Sequence, residues 1–504
     1  MKLKPLTITA LVTSQFAVTV LAADNATPNS NATTNSEEAE IAALKKEIQA
    51  LEQKVETLEK QQQQAPAPAP TPAPAASSAQ VEALDQKLRI IERERENDEE
   101  AAATLAKNQP KFALTQNGFS FSSADTNFVA ELHGVLQVDS RSFFHDGGNN
   151  GDDGFLLRRA RPIFSGTVFH DFDFNFTPDF GGSTVQIYDA YVNYHYNSAL
   201  QLEAGKFKAP VGLEALTADR DLLFNERSLA TDLVPNRDLG LEFHGGVLGG
   251  AVSYALGVFT GGYDYSGTTV NTPTQDDMTF EGRLFFQPLK NSDVSALRGL
   301  GFGVAGTYLD NHPLTNSATG LTPGYTTDGQ EKFFSYNAGV NANGAGWRVT
   351  PQAYYYYGPL GVLGEYVVSD QEVASLTKAA DLQNTAWDVT GSWVLTGEDA
   401  AYTGVTPRHP FDPHNGGWGA WQLVARYAAL SVDSKAFTDG FASPTKYADG
   451  ANAWSVGLNW YLNRNVRADL SFSHTTFDGF TGKASPGVPA QAENVLFSRI
   501  QLAF

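Results

Sequence analysis

Arginines recur through the last four-fifths of the 504-residue chain at spacings that could build a site for anions. Arg159 and Arg161 are two residues apart, so on a β-strand they project from the same face, and Arg158 lies directly beside them. Alternation with apolar neighbours predicts the same polar face for five more arginines: Arg283, Arg348, Arg426, Arg467 and Arg499. Because a guanidinium is a charged fork of donors, a row of them offers a passing anion successive weak sites.

Acidic residues near these arginines allow a second interpretation. The available carboxylates are Asp171, Asp173, Asp189, Glu203 and Glu365. If they pair with the arginines, the guanidiniums cross-link a wall and do not meet a solute. The residues alone leave both interpretations open.

Strands with two different faces must position these side chains. Apolar and polar residues alternate around Phe172–Phe176, Val252–Val258, Trp421–Tyr427 and Val466–Phe472. In the final strand Leu496, Ile500, Leu502 and Phe504 share one face, and Arg499 and Gln501 share the other. An apolar face toward lipid and a polar face toward water predict an all-β, transmembrane, antiparallel barrel.

The size of this barrel follows from the length of chain after Pro110. About 395 residues remain, and at roughly 25 residues per strand and connection they form about 16 strands. A barrel of that size leaves an aqueous lumen. The connections also differ in length, with tight turns at 357–361 and 463–465 and long segments at 206–238, 262–278 and 396–417. We expect the tight turns at one end of the barrel and the long segments at the other.

Composition excludes several classes of function. The net charge of −21 argues against nucleic acid as a partner, and the absence of Cys excludes disulfides and thiolate metal sites. The nine His are scattered, so no spacing identifies a nucleophile with its base. We therefore expect no enzyme, no catalytic residues, no metal and no cofactor.

The N-terminal fifth of the chain differs from the rest in composition and in the period of its apolar residues. Lys2, Lys4 and a following apolar stretch that ends in Ala22 and Ala23 predict a secretory signal, and no later run of 18 apolar residues predicts a spanning helix. The predicted organisation is a signal peptide at 1–22, a disordered segment at 23–36, a heptad helix at 37–64, an Ala/Pro-rich linker at 65–80, a second short heptad helix at 81–108 and the barrel at 110–504.

The two heptad segments carry narrow apolar seams, with Ile41, Leu44, Ile48, Leu51, Val55 and Leu58 in the first and Val81, Leu84, Leu88 and Ile91 in the second. Such seams predict a coiled coil and self-association. The alternative is a single amphipathic helix lying on a surface. Residues 37–105 could also act as a tether to peptidoglycan or another periplasmic partner.

Several longer runs, in the same order along residues 112–504, resemble the phosphate-selective porin O and P family. They are 155–167, 179–182, 188–191, 205–214, 226–228, 416–421 and 457–463. The resemblance implies a homotrimer of 16-stranded barrels in the bacterial outer membrane, surrounded by its lipids. It also implies a third loop folded into the pore and an arginine ladder that leads anions to a basic constriction.

Individual positions carry over from this resemblance. Arg158 and Arg159 match the family's paired arginines, and Arg283 matches another ladder position. Residues 206–235 match the constriction loop, with Lys208, Arg220 and Arg227 as its candidate cations.

Three positions depart from the phosphate-specific members, because Val135 replaces an arginine and Ala215 and Asp173 replace lysines. The resemblance therefore supports an anion path in this chain more strongly than it supports specificity for phosphate. We expect a passive channel for small anionic solutes, with phosphate or a related oxyanion as the leading candidate. The alternative is a general or organic-acid porin whose arginines are largely neutralised.

Overall fold

The structure is a computed structural model that describes residues 78–144, 151–260, 278–311, 324–481 and 492–504. The predicted signal peptide, the 23–36 segment, the first heptad helix and most of the linker lie outside the described residues. Residues 98–504 form one compact unit.

One long helix, α1, covers Ser78–Asn108 and contains the 81–108 segment for which the heptad pattern predicts a helix. Its charged residues from Glu82 to Glu100 and three of its large apolar ones, Leu88, Ile90 and Ile91, are exposed. Self-association through this helix stays a prediction. Among the described helices, none is long and apolar enough to cross a membrane.

The described ranges contain twenty strands after α1, and sixteen of them close into an antiparallel barrel. In chain order the strands are β1 (Lys111–Thr115), β2 (Gly118–Ser122), β3 (Phe128–Phe143), β4 (Gly154–Val168), β5 (Phe172–Asp179), β6 (Gln186–Asn197), β7 (Leu200–Lys208), β8 (Arg237–Val247), β9 (Val252–Phe259), β10 (Thr279–Phe286), β11 (Leu300–Asn311), β12 (Tyr325–Thr326), β13 (Lys332–Phe334), β14 (Asn341–Tyr357), β15 (Leu360–Ala374), β16 (Ala379–Val394), β17 (Ala420–Ser431), β18 (Gly450–Tyr461), β19 (Val466–Asp478) and β20 (Ala492–Ala503). The wall consists of β3–β11 and β14–β20.

Closure comes from pairing between the first and last wall strands. β20 pairs with β3 from Val495 opposite Phe143 to Ala503 opposite Val135. The backbone groups of Phe504 and Gly134 then exchange two hydrogen bonds of 2.9 and 3.0 Å. The predicted closed barrel of 16 strands is confirmed. Its wall begins at β3, because β1 and β2 form a hairpin that pairs only with the start of β3.

The two faces of the wall strands match the alternation in the sequence. In β20, Ile500 is 60% exposed on the outside, whereas Arg499 on the inside is buried. Exposed outward side chains on other strands include Leu256, Val304, Trp393, Leu423 and Leu470. An apolar outer surface of this kind is typical of strands that face lipid.

β-bulges break this alternation at two functionally relevant positions. Gln137 of β3 pairs with Arg159 of β4, and the next residue, Val138, pairs with Leu157. Arg158 is therefore an extra residue of β4 that turns inward beside Arg159. In β6, alternation with Ala190 and Val192 would place Tyr188 on the outward face. A bulge opposite Pro178, which has no N–H for the ladder, turns Tyr188 inward.

The connections between strands differ from the prediction in one respect, namely the end of the barrel at which segment 396–417 lies. Segment 395–419 lies at the same end as the tight turns 358–359 and 462–465, because it links the end of β16 to the start of β17. We call this the short-turn end, and it also holds the C terminus. The prediction that 396–417 belongs with the long loops is therefore wrong, since strand direction and not length decides the end.

An apolar cluster fills part of the barrel interior near the opposite end. Val211, Leu229 and Leu233 pack with residues of the β12–β13 hairpin and of the β17–β18 connection: Tyr325, Phe333, Phe334, Phe441 and Ala448. This packing holds the β7–β8 connection inside the barrel.

Candidate pore constriction

The connection between β7 and β8, residues 209–236, folds into the barrel and is mostly buried. We call it the constriction loop. It contains a short helix, Leu213–Leu216, and a 3-10 turn, Leu229–Leu233. Lys208, predicted as a loop residue, is instead the last residue of β7. Its Nζ still reaches the loop and donates to the carbonyls of Leu216 and Thr217 at 3.2 and 2.7 Å.

The barrel wall holds the short helix of this loop by its N-terminus. Gly212 precedes the helix with φ of 68°, a conformation that favours glycine. The first two helical N–H groups, those of Leu213 and Glu214, donate to the Glu365 carboxylate at 2.6 and 2.9 Å. The Tyr402 hydroxyl, from the 395–419 segment, donates to the carbonyl of Leu213 at 2.6 Å. Both contacts fix the position of the loop.

Asp219, at the tip of the loop, lies among four arginines. Its carboxylate oxygens are 2.9 Å from Arg227 Nη1, 3.4 Å from Arg159 Nη2 and 4.0 Å from Arg237 Nη2, and one accepts a hydrogen bond from Arg161 Nη1. We call these five residues the Asp219 cluster. Burial alone would raise the pKa of the Asp219 carboxyl, but Arg159, Arg161, Arg227 and Lys208 hold it well below its usual range. Asp219 is therefore a fixed anion.

Two further carboxylates and an aromatic ring complete the surroundings of the cluster. Arg161 Nε donates to Asp179 at 2.6 Å, and Arg237 Nε donates to Asp189 at 2.8 Å. The guanidinium carbons of Arg161 and Arg237 lie 3.5 and 3.7 Å from the centroid of Tyr188. Four guanidiniums thus face three carboxylates, which leaves a net positive charge.

A second excess of positive charge surrounds Glu226 of the loop. Arg158 binds its carboxylate through two donors, at 2.5 and 2.8 Å, and Arg141 Nη2 lies 3.0 Å away. Burial would raise the pKa of Glu226, but Arg158, Arg159 and Arg141 hold it far below its usual range. Two guanidiniums therefore share one carboxylate here.

Three predicted arginines are instead matched by carboxylates. Arg499 binds Asp139 through Nε and Nη2 at 2.6 and 2.7 Å. Arg467 Nε lies 2.9 Å from Asp469. Arg426 contacts two carboxylates, those of Glu214 at 3.0 Å and Asp328 at 2.8 Å. All three guanidiniums are buried.

Two other predicted arginines, Arg283 and Arg348, lie on a different part of the wall. Arg283 Nε donates to the amide oxygen of Gln352 at 3.0 Å, and no carboxylate of the described ranges lies within 4 Å of its guanidinium. Arg348 Nη1 donates to the Thr307 hydroxyl at 3.2 Å. The structure therefore does not bring these two into the Asp219 cluster.

The last predicted loop cation, Arg220, faces water. Its side chain is 55% exposed, and Nε is 3.6 Å from Asp221. It lines a cavity of about 500 Å³ at the short-turn end, together with Arg408, Arg464, Arg467, Gln501 and residues of segment 395–419. Burial raises the pKa of Asp221, with Arg220, Arg467 and Lys208 opposing the shift.

The three positions that depart from the phosphate-specific pattern have clear locations. Val135 pairs with Arg161 across β3 and β4, and Ala215 is buried in the short helix of the loop. Asp173 accepts a hydrogen bond from Thr167 at 2.8 Å and lies 3.8 Å from His195. None of the three adds a cation to the constriction.

Sequence reasoning missed several of the site's central residues. Arg141 shares its inward face with Gln137 and Asp139, so its parity could have identified it. Asp219 and Arg237 carry no such signal, because Asp219 lies in an aperiodic loop and Arg237 is the first residue of β8. Of the carboxylates suggested as partners of arginines, two have defined contacts in the constriction. Asp189 pairs with Arg237, and Glu365 binds loop backbone.

Comparisons with known proteins identify a family and several similar proteins. The sequence matches the family "Phosphate-selective porin O and P" over residues 131–504. It is 24% identical over 398 residues to Porin O of Pseudomonas aeruginosa, which covers 73% of this chain and 87% of the relative. Among solved structures, the outer membrane channel DcaP of Acinetobacter baumannii aligns at 12% identity with a TM-score of 0.48, covering 75% of this chain and 98% of its own. An anion-selective porin from Comamonas acidovorans aligns at 12% identity with a TM-score of 0.45, covering 75% and 100%.

The family match covers most of the chain and nearly the whole barrel. It includes every wall strand except the first three residues of β3. Members of this family are channels of the bacterial outer membrane. The chain therefore belongs to the phosphate-selective porin O and P family and is a β-barrel porin of that membrane.

Proposed function

We propose that the protein is a passive outer-membrane channel for small anionic solutes, with phosphate or a related oxyanion as the leading candidate. The observation that carries this proposal is the excess of positive charge at the constriction. Around Asp219 and Glu226, six guanidiniums face four carboxylates. A constriction in which cations outnumber fixed anions raises the local concentration of permeant anions.

We further propose a path for these anions. Arg141 and Arg158, whose side chains are partly exposed, contact the anion first. The Asp219 cluster forms the narrowest section of the pore. The anion then passes Arg220 and enters the 500 Å³ cavity at the short-turn end. Arg283 and Arg348 extend the cationic surface along β10 and β14. Arg426, Arg467 and Arg499 act as structural partners of their carboxylates.

The alternative is a general or organic-acid porin with largely neutralised arginines. The specific observation in its favour is that Arg426, Arg467 and Arg499 each have a carboxylate at hydrogen-bonding distance. The substitutions at Val135, Ala215 and Asp173 point the same way. In this version the lumen discriminates weakly between phosphate and small carboxylates.

Single-channel recording separates the two versions. Chloride, phosphate and succinate are compared in one preparation of the full-length protein in a planar bilayer. The phosphate version predicts that millimolar phosphate inhibits chloride current, whereas the organic-acid version predicts comparable succinate and phosphate currents without inhibition. Replacing Arg159 and Arg283 with Ala provides a second comparison. Loss of anion preference supports the first version, and little change supports the neutralised one.

We also propose the assembly that the family resemblance implies. Three copies form a homotrimer whose outward apolar strand faces contact outer-membrane lipids. Residues 37–105 reach into the periplasm as a tether toward peptidoglycan or a periplasmic partner. Cross-linking of the protein in outer-membrane vesicles, followed by gel electrophoresis, tests the trimer, and a purely monomeric band would contradict it.

A further inference from the structure

The carboxylate of Asp219 occupies the place in which an anionic ligand of the four arginines would lie. Its donors come from three separate parts of the chain. Arg159 and Arg161 belong to β4, Arg227 to the constriction loop and Arg237 to β8. Converging guanidiniums of this kind are the usual environment of a bound carboxylate or phosphate. Here the bound anion is part of the protein.

The residues on both sides of Asp219 lie at the edge of the water-filled path. Ala218 and Arg220 are exposed, while Asp219 itself is buried toward the arginines. The main chain is held at this point by Gln137, which donates to the Asp219 carbonyl at 3.1 Å, and by Gln501, which donates to the Arg220 carbonyl at 3.0 Å. The carboxylate therefore meets the cluster at the border between wall and lumen.

We propose that Asp219 is a tethered competitor that fills the anion site of its cluster and so sets the affinity of the constriction for permeant oxyanions and carboxylates. This inference rests on the proposed anion channel and names the residue that controls its specificity. A tethered carboxylate acts at a high effective concentration, so a solute must displace it before it can use the full set of donors. The consequence is weak binding of solute and a modest preference among anions.

The physical reason for such a residue is the cost of buried charge. Without Asp219, the four buried guanidiniums would share only the carboxylates of Asp179 and Asp189, and this excess of buried charge would destabilise the folded barrel. A solute anion that filled the site permanently would block the pore. A carboxylate on the loop compensates the arginines in every molecule and leaves the solute with only transient contacts. Removal of this carboxylate alone should convert the cluster into a phosphate site.

The first test is the substitution Asp219→Asn, which keeps the side-chain shape and removes the charge. The full-length variant is compared with wild type by measuring how inorganic phosphate inhibits chloride current in a planar bilayer. We expect the half-inhibiting phosphate concentration to fall about tenfold, because the phosphate gains charge-assisted hydrogen bonds that the carboxylate held before. Asp221→Asn is the matched control, since it removes the same charge two residues away from a carboxylate that pairs only with Arg220 among the described residues.

A second variant separates occupancy of the site from net charge. The double substitution Asp219→Asn with Arg227→Gln keeps the wild-type charge of the lumen and leaves three guanidiniums without the competing carboxylate. It also removes the excess charge that could prevent the single variant from folding. We expect phosphate to inhibit the double variant at lower concentrations than wild type.

Two results would overturn the inference. Asp221→Asn could produce the same inhibition as Asp219→Asn, which would mean that charge alone matters, or both Asp219 variants could match wild type. The proposed function fails on a different measurement, namely a cation preference of the wild-type pore in a salt gradient. Failure of the two proposals is therefore distinguishable.

Discussion

Arg499 and Arg283 both point into the barrel, yet the groups around them give the two residues different roles. Arg499 and Asp139 form a buried pair with two hydrogen bonds, at 2.6 and 2.7 Å. Arg283 contacts an uncharged amide and lies 4.4 Å from the ring centroid of Phe285. At the scale of single residues, the partner of a guanidinium thus decides whether it stabilises the wall or contributes charge to the lumen.

The Arg499–Asp139 pair predicts a stability effect. We expect Arg499→Gln to lower the free energy of unfolding by about 3–5 kcal/mol, because Asp139 is left as a buried charge without a partner. The measurement is the urea midpoint of the heat-modifiable barrel band in gel electrophoresis. Adding Asp139→Asn should restore part of the loss, and a single variant as stable as wild type would contradict the prediction.

Acidic groups at the constriction predict a particular dependence on pH. The pKa of Asp221 is raised by burial, so this carboxylate becomes neutral first as the pH falls toward 3.8, its ordinary pKa. The pKa values of Asp219 and Glu226 are lowered, so the stability that they contribute is fully present above their ordinary pKa values of 3.8 and 4.5. That stability is lost only as the pH falls through their lower folded values.

We therefore expect the anion preference of the wild-type pore to increase between about pH 7 and about pH 4 while the loop stays in place. Arg220 is the cation that lies beside Asp221, so neutral Asp221 would leave the charge of Arg220 uncompensated. The measurement is the reversal potential as a function of pH. Asp221→Asn should lack part of this increase, and an identical pH profile in both proteins would disprove the role of Asp221.

At the scale of elements, the constriction loop depends on contacts from the wall at several points along its length. Glu365 binds the start of its short helix, Arg141 and Arg158 bind Glu226, and Asn459 donates to the Leu223 carbonyl at 2.9 Å. These strands surround the loop, so the closed barrel and the loop position each other. A weakened anchor should let the loop fluctuate inside the lumen.

Glu365→Gln tests this anchor. We expect more low-frequency noise in the open-channel current, since one of the two helical N–H groups loses its carboxylate acceptor. The control is Glu372→Gln on the same strand, whose carboxylate contacts Asn343 and not the loop. Equal noise in both variants would show that Glu365 does not hold the loop.

Much of this arrangement could be predicted from the sequence, because period-two alternation identifies strand faces. It accounts for the inward positions of Arg159, Arg161, Arg283 and Arg499, whose role in the anion path stays a prediction. It failed at the bulges, where Arg158 and Tyr188 are extra residues that parity cannot locate. It also gave no information about the partners of the arginines, since Asp219 meets them through a loop without periodic structure.

At the scale of the whole molecule, the barrel closes without residues that precede β1. The wall runs from β3 to β20, and the β1–β2 hairpin contacts it at the short-turn end, where Asn465 Nδ2 donates to the Gln116 carbonyl at 2.6 Å. The β1–β2 hairpin begins at Lys111, three residues after α1 ends. The helical segment therefore ends before the first residue of the hairpin and of the pore wall.

Deletion of residues 24–108 tests this separation. We expect single-channel conductance to stay largely intact, because every wall strand and the complete β1–β2 hairpin remain. Attachment of the protein to isolated peptidoglycan should decrease in the same variant if residues 37–105 are a tether. Loss of the pore on deletion would mean that the helices belong to the channel itself.

The central claim is that an excess of guanidiniums at the constriction makes the pore prefer anions. The reversal potential of the full-length protein in a planar bilayer, measured across a gradient of KCl, tests it most directly. We predict a potential of the sign that chloride permeation produces, and a smaller one after replacement of Arg159 and Arg283 with Ala. A reversal potential of the sign that potassium permeation produces would contradict the claim.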